Sequence, residues 1–172
     1  TNDRRQRQMC IRDRSKVDPD EMVFHMNNDL NNTKTAGMFV TSIVGEYNLI
    51  TDEIRWVNAG HQPAILRNGH GKYDQFESSA PPLGVIKQKD KSVYNIHKTK
   101  LNGSRFYAFT DGLSESLNDK GEEIGIDGSI GIIEQNFNKD TVKQLDSITQ
   151  SVIGTSQNQK LSDDLTLISI GK

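Results

Sequence analysis

Residues Phe106-Tyr107-Ala108-Phe109-Thr110-Asp111-Gly112 restrict the architecture of this 172-residue chain more than any other segment. Four apolar residues in a row read as a strand running out of the core. The run stops at an acid, and the glycine behind it frees the backbone for a sharp turn. Ser162-Asp163-Asp164-Leu165-Thr166-Leu167 has the converse order, with acids first and a β-run after. Carboxylates at strand ends can converge on one cation while the strands hold them rigidly. Oxygen donors of this kind suit Mg²⁺ or Mn²⁺ rather than Zn²⁺. The pair of segments therefore suggests a metal-dependent hydrolase acting on phosphate esters. Each segment also has a plainer reading. Asp-Gly is an ordinary turn or helix start, and Asp163-Asp164 also suits a solvated turn before an edge strand.

The remaining pattern is a helix, a run of strands, then helices and a last strand. Asp18 can cap a helix, Pro19 suits its first position, and Glu21 follows three residues after the cap. Met22, Val23, Met26 and Leu30 then recur at helical spacing through about Asn32. Gly37–Val44 reads as a buried strand. A turn at Asn48–Asp52 and a second strand at Ile54–Asn58 make a hairpin. Further strands are expected at Pro63–Arg67, Tyr73–Phe76, Val93–His97 and Arg105–Phe109, with a turn at Asn102-Gly103. A short helix is expected after Asp111, through Leu117. Longer helices are expected at Asp127–Asn136 and Thr141–Ile153, the latter with Val142, Leu145, Ile148, Thr149 and Val152 on one face. Leu165–Ile170 closes the chain as a strand. Strands grouped apart from helices argue an α+β fold.

Charge and cysteine content exclude several classes. The formal charge of −2 gives no drive toward nucleic acid. Residues 1–16 hold six basic groups against Asp3 and Asp13, a net of +4, which leaves −6 for the rest. A solvated, disordered end explains that arm better than a tether. Residues 1–15, including Met9-Cys10-Ile11-Arg12-Asp13-Arg14, are expected to be a non-native leader that resembles translated adapter sequence. Residues 16–172 are expected to be the folded part. One cysteine, Cys10, allows no internal disulfide and points to a reducing cytoplasm. Neither a long apolar span nor a signal peptide is present. Phosphate-cradle, dinucleotide, zinc-protease and nucleophile-elbow motifs are all missing. His61 ends a hairpin strand beside Gly60, where a lone histidine is more often structural than catalytic. His25, His70 and His97 are expected at the surface.

Six segments in order carry a resemblance: Gly37-Met38-Phe39-Val40-Thr41, Val57-Asn58-Ala59-Gly60-His61-Gln62-Pro63, Pro82-Leu83-Gly84-Val85, Phe109-Thr110-Asp111-Gly112-Leu113-Ser114-Glu115, Gly121-Glu122-Glu123-Ile124-Gly125 and Asp163-Asp164-Leu165-Thr166-Leu167. The series resembles the SpoIIE/RsbU-type branch of the metal-dependent (PPM, phosphatase 2C-like) serine/threonine phosphatases. The resemblance implies an αββα sandwich of two antiparallel sheets flanked by helices. It also implies two Mn²⁺ or Mg²⁺ ions at one end of it. Asp111 and Asp163 would be metal ligands and catalytic residues, with Gly112, Asp164 and His61 bordering the cofactor. Hydrolysis would use metal-activated water, with no covalent phosphoenzyme.

The family pattern begins upstream with a Gly-Asp strand and an Asp-x-x-Gly-His-Gly-type motif, and this sequence holds neither. The chain is therefore expected to be the C-terminal portion of such a domain, with about half of its dinuclear site and little activity alone. The resemblance further implies a phosphorylated protein substrate, of the anti-sigma-factor antagonist type, and an upstream sensor, receiver or membrane module. A homodimer is compatible with this reading. A pseudophosphatase that only binds, or a phosphohydrolase acting on small molecules, are the rival expectations.

Overall fold

The computed structural model describes residues 18–33, 37–118, 120–138, 140–155 and 164–171. The expected leader over residues 1–15 lies outside them. The fold is α+β, with two antiparallel sheets and helices, and the chain divides into two compact units. One holds the described residues up to His61 together with Ser78–Lys100. The other holds Gln62–Glu77 and the described residues from Leu101 onward.

In the first unit, helix α1 spans Pro19–Thr33. Strands β1 (Ser42–Asn48), β2 (Glu53–Ala59) and β5 (His97–Lys100) form a sheet in the order β1-β2-β5. Asp18 anchors the helix start. Its carbonyl accepts from the Met22 N–H at 3.0 Å, and its carboxylate accepts from Arg55 on β2 at 2.9 Å. Val23 of α1 packs with Val57, Ala59, Leu83 and Tyr94 in one apolar cluster, flanked by Met26 and Leu30. Burial of each large aliphatic here contributes roughly 1.5–3 kcal/mol. Residues of alternate parity on β2, Ile54, Trp56 and Asn58, are buried too, which makes β2 apolar on both faces.

Three expectations fail in this unit. The strand anticipated over Gly37–Val44 begins only at Ser42, and Met38, Phe39 and Val40 are exposed. Val40 makes an isolated antiparallel bridge to Leu83, so its backbone bonds go to a loop rather than to a sheet. The strand anticipated at Val93–His97 is displaced. Lys91–Val93 is a 3-10 turn capped by the Asp90 side chain, and β5 starts at His97. His97 is half-buried rather than on the surface. It sits opposite Trp56 in the β2–β5 register, and its ring stacks on the indole, 5.2 Å between centroids and 22° between planes.

In the second unit, β3 (Ala64–Arg67), β4 (Tyr73–Phe76), β6 (Arg105–Phe109) and β7 (Leu167–Ile170) form a sheet in the order β4-β3-β6-β7. All five residues of β6 are buried. Helices α2 (Asp111–Ser114), α3 (Gly125–Gln135) and α4 (Thr141–Thr155) follow β6. Ile133 of α3 and Ile148 and Val152 of α4 pack against Ile65, Tyr107 and Phe109.

The expected inward face of α4 holds for Ile148 and Val152, which are buried, and for Leu145 and Thr149, which are half-buried, but Val142 is exposed. Gln144, which the apolar pattern leaves out, lies fully buried one turn before Ile148. Its Oε1 accepts from Arg105 at 2.8 Å, and its Nε2 donates to the Tyr107 hydroxyl at 3.0 Å. Arg105 also donates to the Asn138 carbonyl at 2.7 Å. A buried guanidinium needs these acceptors, so a polar side chain joins the buried side of this helix.

Candidate metal-binding site

β6 and β7 are antiparallel, with Phe109 opposite Leu167. The end of one strand therefore meets the beginning of the other. Thr110 locks that junction with three hydrogen bonds. Its N–H donates to the Thr166 carbonyl at 3.0 Å, and its hydroxyl donates to the Asp164 carbonyl at 3.0 Å. The same hydroxyl accepts from the Thr166 N–H at 2.9 Å. Asp111 follows directly and opens α2, with its side chain exposed. The fold thus brings the Asp111 and Asp164 segments to one end of this sheet, as the two sequence segments suggested.

The turn behind Asp111 is tightly fixed. The Glu115 N–H donates to the Asp111 carbonyl at 2.8 Å, and Ser116 Oγ donates to the Gly112 carbonyl at 2.6 Å. Gly112, Leu113 and Ser114 are buried. Ser114 Oγ donates to Gln62 Oε1 at 2.9 Å, a contact within this unit between residues far apart in sequence that no local pattern announces. The helix ends at Ser114, earlier than the expected Leu117. Leu117 bridges to Glu123 instead, and Asn118 organises the turn by accepting from the Lys120 and Glu122 N–H groups.

Asp163 lies outside the described residues. His61 belongs to the first unit, where it is half-buried and its N–H donates to Asn58 Oδ1 at 3.0 Å. Gly60 before it has φ of +69° and donates to Ser78 Oγ at 2.7 Å.

The donors at this sheet end suit a hard divalent cation in kind: carboxylate oxygens on exposed, rigidly held backbone. No group of three or more His, Cys, Asp or Glu gathers for a metal among the described residues.

Solved structures share this fold. The SiaA-PP2C domain of Pseudomonas aeruginosa superposes with a TM-score of 0.78 at 13% identity, covering 94% of this chain and 64% of that one. The phosphatase domain of the cell fate determinant SpoIIE from Bacillus subtilis gives 0.63 at 19% identity, covering 91% and 66%. The two antiparallel sheets with an acid-ended β6 beside β7 are thus a PP2C-type phosphatase fold. The sequence profile of Stage II sporulation protein E (SpoIIE) matches residues 8–171, and the chain belongs to that family. Phosphoserine phosphatase RsbU of Bacillus subtilis is 24% identical over 156 residues, 88% of this chain and 44% of its own length. Protein IcfG of Synechocystis sp. is 27% identical over 134 residues, 77% of this chain and 20% of its own length. The chain therefore spans less than half of these curated relatives. No helix among the described residues is long and apolar enough to cross a membrane.

Proposed function

We propose that this chain is the C-terminal portion of a metal-dependent phosphoprotein phosphatase domain, removing phosphate from phosphoserine or phosphothreonine. The Thr110 lock carries this reading, because it fixes Asp111 beside the Asp164 segment. Asp111 and Asp163 would hold divalent cations, Mn²⁺ or Mg²⁺. Two structural neighbours support those ions: the SpoIIE phosphatase domain was presoaked with Mn, and RsbX is in complex with magnesium. Such ions, when bound, lower the pKa of water and offset charge on phosphoryl oxygens. The chain's own contribution is placement. Thr110 and Ser116 hold the backbone on either side of Asp111, so its carboxylate reaches the site without ordering a loop. Gly112 and Asp164 would border the same cofactor.

RsbU and RsbP, both named phosphoserine phosphatases, support a protein substrate of the anti-sigma-factor antagonist type, acting in a cytoplasmic partner-switching pathway. An upstream sensor or receiver module in the parent protein, and a homodimer, fit the same reading.

The test is Mn²⁺-dependent phosphate release from a phosphoserine peptide and from a small phosphate ester. It compares this chain with the complete domain encoded by its parent reading frame. Turnover of the peptide by the complete domain, and little by the chain alone, is expected. A complete domain that binds Mn²⁺ and turns over neither substrate would instead be a binding module. Preference for the small ester would overturn the protein substrate.

A further inference from the structure

The turn that presents His61 is braced by helix α1 through a run of tight contacts within the first unit. Asn27 is polar, yet it lies buried on the inner face of α1. Both ends of its amide are spent on one loop. Oδ1 accepts from the Gly84 N–H at 2.8 Å, and Nδ2 donates to the Ile86 carbonyl at 3.0 Å. Asn31 donates to the Asn27 carbonyl at 2.9 Å and approaches its Oδ1 at 3.3 Å, which fixes the amide's orientation. The loop could not take this shape with another residue at 84. Gly84 has φ of +86°, and a Cβ there would lie 2.8 Å from Leu30 Cδ2 of the same helix.

The loop then reaches the His61 turn. Leu83 is pinned by two backbone bonds to Val40, at 2.9 and 2.7 Å. Pro82, directly before it, presses on Gly60: a Cβ at Gly60 would come within 2.3 Å of the proline ring. Nothing but glycine fits under Pro82, so any displacement of the loop at Gly84 is felt at Gly60 and at the His61 backbone. Asn28 makes a useful contrast. It grips the loop at a point beyond Ile86, by accepting from the Gln88 N–H at 3.1 Å, and it touches the Asn27 amide only through a longer bond, accepting from Nδ2 at 3.3 Å.

We infer that Asn27 is a positioning residue for His61: its amide holds the loop at Gly84 and Ile86, and the loop, through Pro82 on Gly60, sets the His61 turn. The positioning stands on the geometry of this unit alone, whereas any role of His61 toward a phosphate or a metal rests on the function proposed above. The experiment therefore reads His61 itself and not phosphate release.

In the 172-residue chain, with four histidines, the imidazole Cε1–H resonances are followed by NMR. Asn27→Ala is expected to move the His61 resonance and leave that of exposed His70 in place, while Asn28→Ala moves His61 clearly less and His70 not at all. An unmoved His61 in a folded Asn27→Ala variant, or equal displacement by Asn28→Ala, overturns the inference. Should Asn27→Ala fail to fold, amide exchange of the unaltered chain decides. The Gly60, His61 and Gly84 amides are expected to lose protection together, in one opening event. Independent opening of Gly84 would show that the loop does not brace the turn.

Discussion

The Thr110 hydroxyl donates to the Asp164 carbonyl across 54 positions of sequence, at 3.0 Å, and joins the two acid-bearing segments of the chain. Thr110→Val keeps the shape of the side chain and removes this bond together with the one from the Thr166 N–H. A loss of about 1–3 kcal/mol in stability is expected from urea unfolding, and Mn²⁺ affinity of the complete domain should fall with it. Thr110→Ser should preserve both.

Asp111→Asn tests the carboxylate itself. The side chain is exposed, so the urea midpoint should stay within about 0.5 kcal/mol of the parent. Outer partners of metal ligands typically cost 10–100-fold when removed. Loss of a direct ligand should therefore lower Mn²⁺-dependent turnover of the complete domain more than about 100-fold.

Gln144→Leu removes the amide that serves Arg105 and Tyr107. The apolar replacement suits a buried helix position, yet it leaves a guanidinium short of an acceptor. A destabilisation of about 2–3 kcal/mol is expected in urea unfolding. Val142→Lys on the same helix, at an exposed position, should be neutral.

Arg67, Tyr73 and Glu134 tie β3 and β4 to α3, and they make stability depend on pH at both extremes. Arg67 donates to both Glu134 oxygens, at 2.8 and 3.1 Å, and the Tyr73 hydroxyl donates to the same carboxylate. The Arg67 hydrogen bonds hold the Glu134 carboxyl below its usual range. Its contribution is therefore present above the ordinary glutamate value and is lost as pH falls through the lowered one. Burial first, then the bond to Glu134, pushes the Tyr73 phenol well up. That contribution is full below pH ~10 and is lost as pH rises through the raised value. Glu134→Gln should flatten the acid limb of a melting-temperature profile. Tyr73→Phe should flatten the alkaline one.

Burial lowers the pKa of His97, whose ring stacks on Trp56. The neutral imidazole is favoured in the fold, so this group's contribution is present above pH ~6.5 and lost as pH falls through its lowered value. Trp56 is the single tryptophan, and an imidazolium against it quenches emission. The fluorescence midpoint is expected below that of a free histidine and should vanish in His97→Phe. A midpoint at or above the free value would show that burial does not govern this ring.

The legibility of the sequence follows from how local each signal is. Asp18-Pro19 with the Met22–Leu30 stripe marks α1 because capping and periodicity act within a few residues, and the helix begins at Pro19 as read. Phe106–Phe109 and Asp111 were legible for the same reason. Thr110 was not, because its role depends on pairing with a strand more than fifty residues later. Met38-Phe39-Val40 misled because strand propensity says nothing about whether a partner strand lies alongside. Gln144 and Asn27 were silent because a buried amide reads as surface until the groups it satisfies are known. His97 looked like part of a polar edge, and only the β2–β5 register puts it on Trp56.

The order β4-β3-β6-β7 has a consequence for how the protein is made. β3, β4 and β6 precede β7 by more than fifty residues, so β7 leaves the ribosome well after them. Until it docks, β6 has an open edge and Asp111 has no companion segment, so the nascent chain carries an exposed apolar strand. The corner at Asp111 thus waits on the synthesis of β7, and translation interrupted before that strand yields a chain with most of this sheet and without the Asp164 segment.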